Sequence, residues 1–325
     1  MRIREGDRLI PSSLTVLLGI LIAVQSRVNG ELARHLDTGL FPAWWTMLTG
    51  LIALAVGILT QTRWRGGLAT VITAVRQKSL PWWTMLGGLF GGIFLVVQSA
   101  TVPLVGVAVF TVGVVAGQTA GSLLVDWLGI SASGKVRVTV NRVVAAGLAV
   151  CAVLTAISDR LGTVGGTLAY ASLAFLAGAL IAPQQAANGR VGVEARSPFT
   201  AAFVNFAGGA IILSAVLVIA VTAGNLELND AWGAPVWSYV GGLIGVIVVA
   251  GAAWVVPSLG VLVFSLLSVL GQLSGAFLLD AAFPTPGTSL GLHLLVGMTM
   301  AFVAVLVAAT WRFSGFSGSD KVNAS

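Results

Sequence analysis

Two pairs of amide side chains occupy equivalent places in two similar stretches of the sequence. Gln25 and Asn29 lie in LIAVQSRVNG, and Gln184 and Asn188 lie in LIAPQQAANG. Residues four apart share one face of an α-helix. Because an amide both donates and accepts hydrogen bonds, these side chains could bind a neutral or zwitterionic solute from two sides. The sequence leaves open the alternative that they end helices or join neighbouring helices.

Further amides fall inside apolar segments, where a polar side chain usually faces a bundle interior or a cavity. Gln118 and Gln272 are both flanked by glycines, and we predict that they line a cavity, the alternative being that they bond to a neighbouring helix. Gln98 has no counterpart in the repeat described below, where Ala252 stands at its place. The candidate substrate-binding residues are therefore Gln25, Asn29, Gln98, Gln118, Gln184, Asn188 and Gln272.

Four charged residues at segment ends are candidates for a gate or for proton coupling. Asp126 and Asp280 end two predicted helices, where a carboxylate opposes the helix dipole and so needs a partner or a function. For each, the interpretation that the sequence favours over these roles is a structural ion pair or a charge that extends to the membrane interface. Arg27 and Glu31 lie four residues apart near the outer end of the first helix, and we predict that they pair and close an outer gate.

Other kinds of chemistry find no support in the sequence. The two histidines, His35 and His293, are far apart and Cys151 is alone, so we expect no metal site. The chain has no GxxxxGK[ST] loop, no HExxH motif and no GxSxG motif with a plausible His/Asp pair. We therefore predict that it is not an enzyme, has no catalytic residues and needs no cofactor.

The composition indicates a membrane protein. Hydrophobic residues make up 57% of the chain and charged residues 9%, against roughly 25% charged residues in a soluble domain. The net charge of +6 does not indicate nucleic-acid binding, because the basic residues fall between the apolar segments. A spanning helix needs about 20 mostly apolar residues. On that basis we predict ten spans, at 14–35, 40–60, 81–101, 104–127, 138–158, 166–188, 199–222, 236–255, 258–280 and 290–312.

The second half of the chain repeats the first. Residues 82–126 shifted by 154 positions align with 236–280, with 18 identities in 45 positions that include Pro, Gln and Asp. The earlier stretch 21–54 aligns with 180–213 at a shift of 159 positions. We therefore predict two five-helix repeats, 1–160 and 161–325, in an all-α membrane protein.

Charge sets the predicted topology. With the N-terminus inside, 14 of the 17 basic residues lie on the cytoplasmic side, and only Arg27, Arg34 and Arg160 lie outside. The positive-inside rule thus predicts that both termini are cytoplasmic. Because each repeat has five helices, an odd number, the second repeat should be inverted in the membrane. Inverted repeats are typical of transporters that bind substrate near the midplane.

The motifs resemble a known family. The helix-ending QSRVNG and QQAANG, the VNFAGG of 204–209 and the Pro-Leu-Val-Gly of 103–106 resemble the fused YdcZ-like branch of the drug/metabolite transporter superfamily. This resemblance covers nearly the whole chain. It implies secondary transport across a bacterial inner membrane, through a central cavity lined mainly by spans 1, 3, 4, 6, 8 and 9.

The favoured interpretation is a transporter that moves a small polar or amphipathic metabolite by alternating access between its two repeats. Its partners would be a small-molecule substrate and the lipid bilayer, and a fused pair of repeats favours a monomer. One alternative is a membrane-embedded lipid-modifying enzyme, for which Asp126, Asp280 and Glu31 are the available reactive groups. The other is a receptor or assembly subunit that moves nothing across the membrane.

Overall fold

The computed structural model describes residues 9–130, 134–135, 139–160, 166–228, 231–259, 261–284 and 290–314. These residues form helices joined by short links, and they contain no strand. The helices are α1 Leu9–Leu36, α2 Leu40–Thr60, α3 Thr62–Arg76, α4 Gly87–Leu128, α5 Val140–Ala156, α6 Thr167–Ala195, α7 Pro198–Thr222, α8 Gly241–Leu259, α9 Val261–Ala282 and α10 Leu292–Ser314. The basic residues Arg2, Arg4, Arg8, Arg137 and Lys321 of the predicted topology lie outside the described residues.

Helix α4 contains the third and fourth predicted spans. Its 42 residues would measure about 63 Å if straight, twice the thickness of a bilayer core. Gly106 breaks it with φ 84° and ψ 164°, a conformation that only glycine adopts readily. Phe94 and Phe110 would lie about 24 Å apart along a straight helix, yet their ring centroids are 6.0 Å apart. The chain therefore folds back at Gly106 into a first arm, residues 87–105, and a second arm, residues 107–128.

The other eight predicted spans correspond to α1, α2 and α5–α10. Within the described part of the chain, six helical segments are long and apolar enough to cross a membrane, one of them the folded-back segment Trp82–Leu128. Three shorter apolar helices, Val140–Ala156, Gly241–Ala252 and Leu292–Ala308, accompany them. The described helices are thus those of a membrane protein with many spans.

One helix does not appear among the predicted spans. The sequence analysis predicts a connector over 61–80, and the structure forms the amphipathic helix α3 there. Its buried side, which includes Val71 and Ala74, packs against α6 and α7. Trp64 stacks on Phe199 of α7 at 4.4 Å between ring centroids. A helix with so many polar residues lies on a membrane surface more readily than across it.

Close helix contacts occur at glycines that have no side chain to separate the backbones. On Gly117 of α4, a Cβ atom would lie 1.8 Å from the carbonyl oxygen of Phe175 in α6. On Gly271 of α9, it would lie 2.1 Å from the carbonyl oxygen of Val16 in α1. The two contacts correspond, because Gly271 follows Gly117 by 154 residues and Phe175 follows Val16 by 159.

Candidate functional site

A buried hydrogen-bonded network joins three helices of the first repeat. The Asn29 amide donates to Oε1 of Gln98 at 3.0 Å and accepts from the Thr46 hydroxyl at 2.9 Å. The Gln98 amide in turn donates to Oγ of Ser26 at 2.8 Å. All four side chains are buried, so α1, α2 and the first arm of α4 are held together by polar groups with satisfied bonding.

The equivalent place in the second repeat has a more open arrangement. Gln184 of α6 donates to Oδ1 of Asn205 in α7 at 3.1 Å. Asn188 is half-buried, and its amide makes no hydrogen bond within the described part of the chain. The position of Gln98 is taken by Ala252, which cannot hydrogen-bond through its side chain. The second repeat therefore retains amide groups that are available to a ligand.

Each amide cluster lies against a helix of the opposite repeat. Gln25 donates to the carbonyl oxygen of Gly241 in α8 at 2.8 Å. A Cβ atom on Gly241 would lie 2.2 Å from Oδ1 of Asn29. The corresponding Cβ atom on Gly87 of α4 would lie 2.6 Å from Oδ1 of Asn188. Both clusters are thus placed where helices of the two repeats meet.

The remaining predicted amides lie on other helical segments, Gln118 in the second arm of α4 and Gln272 in α9. Gln272 is half-buried and donates weakly to Oγ of Ser268, one turn away, at 3.4 Å. Gln118 is half-buried as well, and no hydrogen bond reaches it from the described residues. No hydrogen bond among the described residues joins these two side chains directly to the Gln25 and Gln184 clusters.

Asp280 binds the backbone at the break in α4. The Val107 N–H donates to Oδ1 at 3.1 Å and the Ala108 N–H donates to Oδ2 at 2.8 Å. These N–H groups begin the second arm of α4, which starts after Gly106 and has no preceding turn to bond them. Asp280 is 3% exposed and carries a charge that suits the positive end of a helix. It acts as an N-terminal cap supplied from α9, a role that the sequence analysis did not predict.

The other predicted charged residues have different partners. Asp126 forms an ion pair with Arg142 of α5, as the structural alternative for this residue supposed. Glu31 pairs with Arg34, and the distance from its Oε1 atom to Nη2 of Arg34 is 2.5 Å. The outer gate that the sequence predicts from Arg27 and Glu31 stays a prediction.

Four functional candidates escaped the sequence analysis. Three of them, Ser26, Thr46 and Asn205, complete the two amide clusters. The one sign of this in the sequence is that Thr46 aligns with Asn205 at the shift of 159 positions. Arg190 of α6 donates from Nε to the carbonyl oxygen of Ile130 at 2.7 Å, beyond the end of α4. Its guanidinium also lies 5.5 Å from the centre of the Trp83 ring. Arg190 therefore joins α6 to both ends of α4 at the predicted cytoplasmic side.

Aromatic residues cover the predicted outer side. Trp45 donates to the carbonyl oxygen of Tyr239 at 2.9 Å, and its ring lies 5.0 Å from that of Trp232. Trp44 donates to Ser214 at 2.8 Å. These contacts, with the link between α7 and α8, cover the beginning of α2.

The chemistry that this arrangement supports is hydrogen bonding to a small solute. Among the described residues, no three His, Cys, Asp or Glu side chains come together as a metal site would need. Three of the described acids have basic or backbone partners, namely Asp126, Asp280 and Glu31.

Comparison with known proteins identifies a family. The sequence profile of one family matches residues 10–155 and 169–307 of the chain. That family is described as "Putative inner membrane exporter, YdcZ". A comparison with curated proteins finds no match. The resemblance that the helix-end motifs indicated is confirmed by the family match.

Proposed function

The chain belongs to the YdcZ family of inner-membrane proteins, and from this premise we propose that it is a secondary active transporter of a small polar or amphipathic metabolite. The family description favours export. Substrate binds near the midplane, between residues 1–160 and residues 161–325, and crosses by alternating access.

This proposal rests on one observation: the contacts between the two repeats occur in equivalent pairs. A Cβ atom on Gly88 of α4 would lie 2.3 Å from the carbonyl oxygen of Asn205 in α7. A Cβ atom on Gly242 of α8 would lie 2.5 Å from the carbonyl oxygen of Thr46 in α2. Each residue of the second contact aligns with one of the first, so each repeat packs its third helix on the second helix of the other. Such reciprocal interfaces support an inverted pair that can exchange its two conformations.

The remaining helix pairs support the same arrangement. The second helices, α2 and α7, pack against each other, and so do the fifth helices, α5 and α10. A two-fold relation between repeats places equivalent helices in contact on its axis. The first helix of each repeat packs on the fourth span of the other, as Gly271 and Gly117 illustrate.

Transport is tested with purified protein in sealed proteoliposomes. The vesicles receive a mixture of amino acids, amines, nucleosides, sugars and organic acids, and mass spectrometry measures what enters the lumen. We expect at least one solute to accumulate over empty vesicles, and we expect a Gln25→Ala/Gln184→Ala double variant to reduce its entry. The matched control is Gly147→Ala, because a Cβ atom on this exposed glycine of α5 meets no other atom within 4 Å.

The outcomes separate the alternatives. Entry of no solute, with the protein folded and inserted, contradicts transport and favours a receptor or assembly subunit. Entry that the double variant leaves unchanged supports transport and refutes the assignment of the amide clusters.

A further inference from the structure

Equivalent faces of α1 and α6 differ in their exposure. Ser26 and Asn29 of α1 are 3% and 1% exposed. Gln185 and Asn188 follow them by 159 residues in α6, and these are exposed and half-buried. The next residue shows the same difference, because Gly30 is buried and its counterpart Gly189 is exposed. One face of the repeated helix is thus closed in the first repeat and open in the second.

A carboxamide closes the face in the first repeat. Gln98 accepts a hydrogen bond from Asn29 and donates one to Ser26, and it is 1% exposed. In the second repeat the equivalent of Gln98 is Ala252, which is half-buried. Neither Gln185 nor Asn188 has a hydrogen-bond partner among the described residues. The groups that would bind a carboxamide are therefore present in the second repeat, and the carboxamide is missing.

We propose that Asn188 and Gln185 bind the carboxamide of a neutral or zwitterionic substrate, in the place that Gln98 fills in the first repeat. This inference rests on the proposed transport function and names the substrate class. Amides suit such a group because each can donate one hydrogen bond and accept another. A carboxylate in the same place would bring a negative charge into a partly buried site whose amide partners carry no positive charge. Burial of such an unpaired charge is unfavourable.

A substitution at Ala252 tests whether substrate occupies this place. Ala252 of α8 aligns with Gln98, so a glutamine at position 252 is the substitution that returns a carboxamide to this place in the repeat. The Ala252→Gln variant should therefore exclude the substrate. Leu243→Gln is the matched control, because it adds the same side chain to α8 at a position that is 51% exposed.

The experiment measures binding of paired probes to the purified full-length protein by thermal shift. The pairs are glutamine with glutamate, asparagine with aspartate, and nicotinamide with nicotinate, each at millimolar concentration. We expect at least one carboxamide to raise the melting temperature, which its carboxylate analogue does not do. Asn188→Ala should weaken this binding about tenfold, the effect of losing one hydrogen bond. Ala252→Gln should weaken it at least as much, and Leu243→Gln should leave it unchanged.

Several results would overturn the proposal. These are equal binding of both members of each pair, binding of no carboxamide, and carboxamide binding that survives both Asn188→Ala and Ala252→Gln. If Asn188→Ala does not fold, Ala252→Gln decides alone. Proteoliposomes separate this failure from failure of the proposed function, since entry of solutes without a carboxamide would keep transport and reject the substrate class.

Discussion

Removal of the Asp280 carboxylate should destabilise the protein strongly. The side chain accepts from two backbone N–H groups at 2.8 and 3.1 Å, and it is almost fully buried. A hydrogen bond to a charged group contributes roughly 1.5–3 kcal/mol. Asp280→Ala leaves both N–H groups without this acceptor, so we expect the free energy of unfolding to fall by about 3–6 kcal/mol. The loss is large because the surrounding bilayer offers no water in exchange.

The Asp280→Asn variant tests whether Asp280 caps a helix or carries a proton during transport. Asparagine keeps one acceptor oxygen but turns an NH₂ group toward the other backbone N–H, so we expect a loss of about 2–4 kcal/mol. If Asp280 instead carried a proton during transport, the same variant would unfold like the wild type and lose the dependence of transport on a proton gradient.

The assay is reversible unfolding in mixed detergent micelles, followed by tryptophan fluorescence. Asp159→Asn is the control, because Asp159 faces His293 at 3.0 Å and its side chain is 28% exposed. A partly exposed polar contact of this kind contributes about 1 kcal/mol or less, so this variant should resemble the wild type. An Asp280→Ala protein that also unfolds within about 1 kcal/mol of the wild type would refute the capping argument.

Three further predictions concern packing, helix ends and topology. Gly117→Ala should destabilise the protein by more than about 2 kcal/mol through overpacking, whereas Gly147→Ala should leave stability equal or slightly higher, both measured by the same unfolding assay. Arg190→Gln should lower the melting temperature and speed protease cleavage after α4 in inside-out vesicles, and unchanged cleavage would contradict its role there. In a Cys151→Ser background, Asn225→Cys should react with a membrane-impermeant maleimide in intact cells, and Thr70→Cys only after the cells are opened; the reverse pattern would invert the proposed topology.

Most of the described helices could be predicted from the sequence because they are long apolar runs that end at polar links. The additional helix α3 could not, since its arginines and its mean composition resemble a connector. Its helical form depends on packing against α6 and α7, which begin 91 and 122 residues after α3 ends. A surface helix of this kind is stabilised by the packing of its apolar side, and the helices it packs against come close to it only when the chain folds.

Site residues were predictable by type and only in part by partner. The polar character of Gln25, Gln98 and Asn29 already placed them inside the bundle. That Gln98 bonds to Asn29 depends on how α1 lies against the first arm of α4, and no spacing in the sequence encodes this. Asp280 shows the same limit, because its partners are backbone N–H groups that become available only where Gly106 breaks the helix.

Because helices of the first repeat pack against helices of the second, the protein cannot complete its packing until the second repeat is synthesised. Helix α1 ends at Leu36 and its partner α9 begins at Val261, so 224 residues must be synthesised between them. At roughly 5–20 residues per second, α1 waits about 10–45 s in the bilayer before its partner emerges. The first five helices cannot complete their packing alone, because the surfaces around Gly19 and Gly88 fit helices that do not yet exist. Assembly of this protein is therefore a late event in translation, and a chain released early would leave its small-residue surfaces open to lipid and to other nascent helices.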